Sequence, residues 1–316
     1  MKIPWQLKIA SKILISYMPG AKKAILAFLP LFKPIPVNDP AYNVTVYISH
    51  FSNFVENTDL QKIDEDTGLT VLEMGHGKSM GAGIASHILG ADKVYLIDMG
   101  ELMAPDSSFT KQMTEHILEM IAQNQIKNIE INPDRLLSHI NREKTIKRIE
   151  HLLHSADPSK MLLDRKIISY LPYGISALKE IDTESVDFIY SQASLEHVFL
   201  EEFEQTIKEF YRITKPGGIG SHVIDLRDHL DNSINSLRFS LELWEEPFFR
   251  STGYYTNRLR KSQIIDIFIK AGFRLQDEQS RYWDKVHLPL KKIAPEFRSL
   301  SEDDLKCSGL QITIKK

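Results

Sequence analysis

The sequence predicts an α/β protein built on a doubly wound, mostly parallel seven-stranded sheet, with N-terminal helices and a helical insertion. Three observations predict it. Short apolar runs end in glycine-rich or acidic loops, amphipathic helical stretches separate them, and the order strand–Gly loop–helix–strand–acid opens the series. The 316 residues are enough to bury a full core. A net charge of −3 gives no general drive toward nucleic acid, so no such partner is expected. The single cysteine, Cys307, excludes an internal disulfide framework and a thiolate-only metal cluster, and no metal is expected. Such a chain suits a reducing compartment, and a cytoplasmic location is expected.

From Met1 to Asn38 there is no Asp or Glu, whereas Lys2, Lys8, Lys12, Lys22, Lys23 and Lys33 are basic. Apolar residues lie between them, among them Trp5, Leu7, Ile13, Leu14, Phe28 and Leu29. No uncharged run approaches the roughly 18 residues a spanning helix needs. Lys8 and Lys12 also interrupt the apolar stretch that a secretory signal requires. Two readings remain open. One is a basic helix with a Trp lying on an anionic membrane, which makes residues 1–35 a peripheral contact at its inner face. The other is a helix pair packed over the mouth of the site. Residues 1–60 are therefore expected to form an N-terminal helical cap, and 61–316 the main domain.

Pro34, Pro36 and Pro40 end the N-terminal helices and lead into an aromatic stretch, Tyr42 to Phe54. Leu69 to Leu72 is the first strand, Met80 to Leu89 a helix, and Lys93 to Ile97 the second strand, ending at Asp98. Residues 105–160 exceed the dozen or so that a crossover helix needs, which predicts a helical insertion. Lys166 to Leu171 and Val186 to Tyr190 are the third and fourth strands. Glu201 to Ile213 is an amphipathic helix, Lys215 to Gly218 a turn, and Ser221 to Ile224 the fifth strand. Lys261 to Ala271 is a helix closed by Gly272. Phe273 to Leu275 and Leu310 to Ile314 supply the last two strands, as an antiparallel hairpin pair.

The chemistry concentrates in Glu73-Met74-Gly75-His76-Gly77-Lys78-Ser79. Two glycines one residue apart let the backbone turn tightly and approach a ligand. The dinucleotide fingerprint wants a third Gly where this chain has Met80, and a carboxylate at Glu73 would repel a pyrophosphate. An NAD-dependent oxidoreductase is disfavoured on both counts. Glu73 can instead hold the ammonium of a zwitterionic ligand. Asp98 stands at the end of the second strand, where a carboxylate accepts ribose hydroxyls or, alternatively, caps the turn that follows.

These segments, with Leu195-Glu196-His197-Val198 after the fourth strand and Tyr211-Arg212-Ile213-Thr214-Lys215-Pro216-Gly217-Gly218 before the fifth, resemble class I S-adenosylmethionine-dependent methyltransferases over residues 69–226. The resemblance implies a Rossmann-like enzyme with S-adenosyl-L-methionine as cofactor. It implies that Glu73, Gly75, His76, Gly77 and Ser79 bind the methionine portion, Asp98 and Met99 the ribose side, and that Ser191 and Gln192 flank the methyl group. The family often places an acid after its third strand to hold adenine. Here Gly174-Ile175-Ser176-Ala177 has none, so Ser176 or a backbone group takes that part, or the third strand lies elsewhere.

A hydroxyl acceptor needs a base with a pKa near the working pH. His229 and Asp228, beyond the fifth strand, are the first candidates, and His197 lies on the opposite wall. His222, inside an apolar strand, reads as packed. A lid at about 228–260 carries Phe239, Trp244, Phe248, Phe249, Tyr254 and Tyr255 with Arg258 and Arg260, which suits a sugar, a phosphate-bearing headgroup or an aromatic acceptor, or else is core. The expected reaction is methyl transfer, to oxygen, on a small-molecule, saccharide or lipid-linked acceptor. A catalytically silent S-adenosylmethionine-binding subunit and an RNA methyltransferase are the competing readings.

Overall fold

In a computed structural model of the chain, residues 6–7, 39–59, 68–77, 79–98, 106–123, 140–251 and 253–316 are described. Seven strands form one sheet in the order β3-β2-β1-β4-β5-β7-β6. They are β1 (Thr70–Met74), β2 (Lys93–Asp98), β3 (Ile168–Pro172), β4 (Val186–Gln192), β5 (Thr214–Asp225), β6 (Arg274–Tyr282) and β7 (Cys307–Lys315). β1 to β5 pair in parallel, and β7 runs antiparallel to both neighbours. The order reverses between β1 and β4, and that switch point opens a crevice at the carboxyl ends of the strands.

The central strands are nearly continuous apolar runs because each is buried on both faces. Val71, Leu72, Val94, Leu96, Phe188 and Ile189 are almost fully buried. Each such side chain stabilises the fold by roughly 1.5–3 kcal/mol relative to exposure.

The aromatic stretch forms helix α1 (Pro40–Asn57). Asp39 caps it by accepting the Ala41 and Tyr42 N–H groups, and Pro40 fits the first helical turn. Val44, Tyr47, Ile48, Phe51, Phe54 and Val55 recur at helical spacing and enter the same core as β1, β4 and helix α2 (Gly81–Ile88). This described part of the expected cap thus lies on the sheet itself. Residues 1–5 and 8–38, with most of the proposed membrane contact, lie outside the described residues.

The expected insertion contains α3 (Ser107–Gln123), α4 (Arg142–His154) and the start of α5 (Pro158–Asp164), while its segments 105 and 124–139 lie outside the described residues. Arg148 of α4 fastens this layer beneath β2 by donating to His87 O, Ala91 O and Asp92. Beyond β3 come α6 (Ile175–Leu178), α7 (Leu200–Ile213), two short lid helices, α8 (Leu241–Trp244) and α9 (Pro247–Arg250), then α10 (Lys261–Ala271) and α11 (Glu302–Lys306).

Two expectations change. Lys215-Pro216-Gly217-Gly218 does not stand apart as a turn but opens β5, with a register shift against β4. A side chain at Gly218 would press on Thr214 and on the Lys215 carbonyl, so only glycine lets the strand start here. β6 and β7 pair antiparallel, yet no hairpin joins them. Residues 283–306 intervene, and Leu288, Ile293, Phe297 and Leu305 make a separate apolar cluster with Ile234 and Leu237.

Candidate functional site

β1 ends at Met74, and the chain turns through Gly75 (φ +83°) and Gly77 (φ +61°). A side chain at Gly75 would collide with Ser194, whose hydroxyl donates to the Met74 carbonyl at 2.7 Å. The Gly75 N–H donates to Ile97 O at 2.7 Å. The glycine loop is therefore clamped between the ends of β2 and β4. The Gly77 N–H donates to Asp98 Oδ2 at 3.1 Å, which draws the loop against the end of β2. Ser79 lies buried at the start of α2, and its hydroxyl oxygen accepts the Gly81 N–H.

Glu73 is only 6% exposed. Tyr190 is its register partner on β4, and Glu73 Oε2 is buried without a hydrogen-bond partner among the described residues. Burial pushes the Glu73 pKa up to about 8; the Tyr190 hydroxyl opposes this and Asp98 adds to it. The His76 ring is equally buried, edge-on to Tyr170, and neither ring nitrogen has a hydrogen-bond partner. Burial pushes its pKa below the usual histidine range, against the pull of Asp98. Orphaned buried polar atoms are uncommon because each costs desolvation energy. Beside two left-handed glycines and Asp98, a carboxylate oxygen and an imidazole of this kind fit a ligand with an ammonium group and ribose hydroxyls.

At the end of β4 the two expected residues part company. Ser191 is fully buried, and its hydroxyl bonds His222 Nδ1 at 2.8 Å among Phe210 and Phe268. Its side chain is committed there, and His222 is a packed strand residue. Gln192 instead takes part in a relay that sequence reasoning missed. Asn53 Nδ2 donates to Ser221 Oγ (2.9 Å), Ser221 Oγ meets His50 Nδ1 (2.8 Å), and His50 Nε2 meets Gln192 Oε1 (3.0 Å). Since the Gln192 carbonyl only accepts, His50 carries its proton on Nε2 and accepts from Ser221 at Nδ1. The only trace of this in sequence is a pair of polar residues inside the aromatic stretch of α1.

The loops beyond β4 and β5 bring His197 and His229 together, with ring centroids 4.9 Å apart. His197 Nδ1 donates to the Tyr255 carbonyl at 3.1 Å, leaving the Nε2 lone pair for a proton. Protein crowding the His197 ring lowers its pKa, opposed by the Tyr255 carbonyl, Asp225 and Asp98. Burial raises the Asp225 pKa, but the bidentate pair with Arg227 outweighs it and holds the carboxylate below its usual range. Glu196 is buried next to this group and is pushed up to about 8 by burial.

Asp228 does not join them. It is buried, and its carboxylate accepts backbone N–H groups of Leu230, Asp231, Ser233 and Ser236. Those bonds build the loop that carries His229 and occupy the oxygens a base would need. The lid aromatics likewise form their own core, with Leu230, Trp244, Phe249, Tyr254 and Tyr255 buried together. Arg258 donates to the carbonyls of Ser236, Phe239 and Ser240, and Arg260 to those of Leu226, Asp304 and Cys307. Both guanidinium groups staple the fold and are not presented to an acceptor.

Ser176 is exposed on the first turn of α6, and Met99 lies outside the described residues. Between β3 and α6, Tyr173 is 74% exposed with φ +84°. It adjoins Asp98, whose carbonyl accepts the Gly174 N–H at 3.3 Å.

The family described as "Methyltransferase domain" matches residues 143–221, the stretch from α4 through β3 and β4 into β5. That stretch is similar to a methyltransferase domain. No curated protein matches this chain. Among solved structures it is similar to an S-adenosylmethionine-dependent methyltransferase from Mesorhizobium loti, at 14% identity and a TM-score of 0.39, covering 80% of this chain and 93% of that one. One from Archaeoglobus fulgidus is 11% identical with a TM-score of 0.40, covering 86% and 94%. Phosphoethanolamine N-methyltransferase 2 of Haemonchus contortus, in complex with S-adenosyl-L-methionine, is 15% identical with a TM-score of 0.41, covering 85% of this chain and 52% of that one. No described helix is long and apolar enough to cross a membrane.

Proposed function

We propose that the chain is an S-adenosylmethionine-dependent methyltransferase that methylates an oxygen of a small-molecule, saccharide or lipid-linked acceptor, with its base drawn from the His197–His229 pair. The observation that carries the reading is the pair itself, at the carboxyl ends of β4 and β5. Bound S-adenosylmethionine supplies an electrophilic methyl group on a sulfonium, so alignment and exclusion of water do most of the catalytic work. Glu73 takes the ammonium through Oε2, the loop from Gly75 to Ser79 lines the methionine portion with His76, and Asp98 takes the ribose hydroxyls. Tyr173 covers the adenine in place of the missing acid. Gln192, held by His50, faces the methyl end. A hydroxyl acceptor must lose a proton, and His197 Nε2 or His229 receives it. The contact between Tyr255 O and His197 Nδ1 keeps His197 in the tautomer that can do so.

Residues 1–35 give the reading its membrane side. Their lysines and apolar residues fit an anionic surface at the inner face of a membrane, where a lipid-linked acceptor would lie. Co-sedimentation with anionic vesicles, lost at high salt, tests this contact.

Calorimetric titration with S-adenosylmethionine, S-adenosylhomocysteine and NADH, beside Asp98→Ala, tests the cofactor site. The expected result is micromolar binding of the two adenosyl ligands, lost in the variant, and no binding of NADH. Radiolabelled methyl transfer to hydroxyl-bearing small molecules, saccharides and lipid extracts then tests the reaction. Product from the wild type but not from a His197→Ala/His229→Ala double variant supports the base. Equal turnover by both would remove it.

A further inference from the structure

A buried asparagine ties the lid segment to the turn that carries His197. Leu195–His197 is a single turn of 3-10 helix without a side-chain cap, so its carbonyl groups need partners from elsewhere. Asn257 supplies them. Its N–H donates to Glu196 O at 2.8 Å, and its Nδ2 donates to Leu195 O at 2.8 Å and to Val198 O at 3.1 Å. The amide cannot be reversed, because Oδ1 accepts the Leu259 N–H at 3.1 Å. Both amide protons are thus spent on the turn. Asn257 is only 3% exposed, so water competes little for these bonds.

Two positions earlier, the Tyr255 carbonyl accepts from His197 Nδ1 at 3.1 Å. Residues 255–257 therefore form a strap bonded to the turn at both ends. The strap is itself held from outside, since Trp244 Nε1 donates to Thr256 O at 2.9 Å and the Tyr255 hydroxyl donates to Glu245 at 2.8 Å. A carbonyl can only accept, so it selects the ring form that carries its proton on Nδ1 for as long as the two stay in reach.

We infer that Asn257 is a positioning residue for the base: by fixing the turn against residues 255–257, it keeps the neutral His197 ring protonated at Nδ1 and its Nε2 able to take a proton. This rests on His197 as the base, proposed above. Without the two Nδ2 bonds the turn can draw away from the strap, and the ring is released to the Nε2–H form. In that form the only lone pair lies on Nδ1, against the backbone, where no acceptor hydroxyl can reach it.

The test is nuclear magnetic resonance of the full chain with ring-labelled histidine, at about pH 8.5, two units above the ordinary histidine value. The signals of His197 are those lost in His197→Ala. The wild type is expected to show Nδ1–H with an unprotonated Nε2. In Asn257→Ala the ratio of Nδ1–H to Nε2–H should fall about tenfold, the weight of one buried hydrogen bond. S-adenosylhomocysteine affinity should stay within about twofold, since the strap and the glycine loop share no partner. Tyr255→Phe removes a different tie on the same strap and leaves Asn257 in place, so it should keep the wild-type ratio. Asn257→Ser is a milder change and should lower the ratio in the same direction, which keeps the inference testable if Asn257→Ala does not fold. An unchanged His197 spectrum in the position-257 variants, or a wild type already in the Nε2–H form, overturns the inference alone. Undiminished methyl transfer by His197→Ala, in the radiolabel assay with small molecules, saccharides and lipid extracts, overturns the base and with it the role of Asn257.

Discussion

His50 Nε2 and Gln192 Oε1 stand 3.0 Å apart, although 142 positions separate the two residues in the chain. The bond joins α1 to the end of β4, and the other His50 nitrogen ties the same helix to Ser221 of β5. Phenylalanine at position 50 would leave Gln192 and Ser221 short of partners. His50→Phe is expected to cost about 1–3 kcal/mol of stability by chemical denaturation. His50→Gln, which returns an N–H near the Nε2 position, should recover part of it.

Stability should peak at about pH 6 and fall on both sides. Burial pushes His50 and His87 down to about 4 and His222 to about 3. Their folded values lie below the unfolded one, so the unfolded state binds more protons as pH falls from about 6.5 toward 4, and stability declines through that window. Glu73 and Glu196 are pushed up to about 8. The folded state holds their protons above the pH at which the unfolded chain loses them, so stability declines as pH rises toward 8. Melting temperature against pH checks this. Glu73→Gln should flatten the alkaline limb, and a profile unchanged by that variant would refute the account.

Gly75→Ala and Gly77→Ala separate steric collision from backbone strain. Both positions are left-handed, but only Gly75 faces Ser194, and the space beside Gly77 is open. Gly77→Ala should cost about 1 kcal/mol from its backbone alone. Gly75→Ala must also displace the loop after β4, and should weaken S-adenosylhomocysteine binding more than tenfold by calorimetry. Equal effects would show that Ser194 does not clamp the loop.

Asp228 and His229 are neighbours with different expected phenotypes. Asp228→Ala removes acceptors for four backbone N–H groups and should lower the melting temperature by several degrees. His229→Ala should leave the melting temperature within about 2 °C, as ordinary for a change away from the core. Methyl transfer, once an acceptor is in hand, should fall in His229→Ala.

Arg258 stacks on Trp244 and Phe297 while donating to three carbonyls of the lid. Arg258→Lys keeps the charge but loses the planar fork. It should destabilise the chain by about 1–3 kcal/mol and shift tryptophan fluorescence to the red. A variant as resistant to proteolysis in 232–260 as the wild type would argue against the staple.

Much of this molecule was legible in its sequence, because local chemistry carried the signal. The five parallel strands announce themselves as short apolar runs, since strands buried on both faces need nothing else. Glu73, Gly75, Gly77 and Asp98 could be read as one constellation, because a tight turn after a strand requires those residue types at that spacing. Gly272 could be read as a helix stop for the same local reason. Residues brought together from distant segments carry no such mark. Tyr190 reads as one more apolar strand residue until the β1/β4 register sets it opposite Glu73. Asp228 and His229 are adjacent and look alike as candidate bases. Only the fold of the loop decides that one is consumed by backbone donors while the other meets His197. The same holds for the lid, where Arg258 and Arg260 could have served an acceptor and instead hold carbonyls up to 47 positions away. The sequence by itself determined where the parallel strands lie along the chain and the chemistry of the glycine loop, since both depend on neighbours along the chain. The tertiary structure alone decided which polar groups are spent on holding the fold and which remain for a ligand, because a side chain's remaining hydrogen-bonding capacity depends on what packs against it.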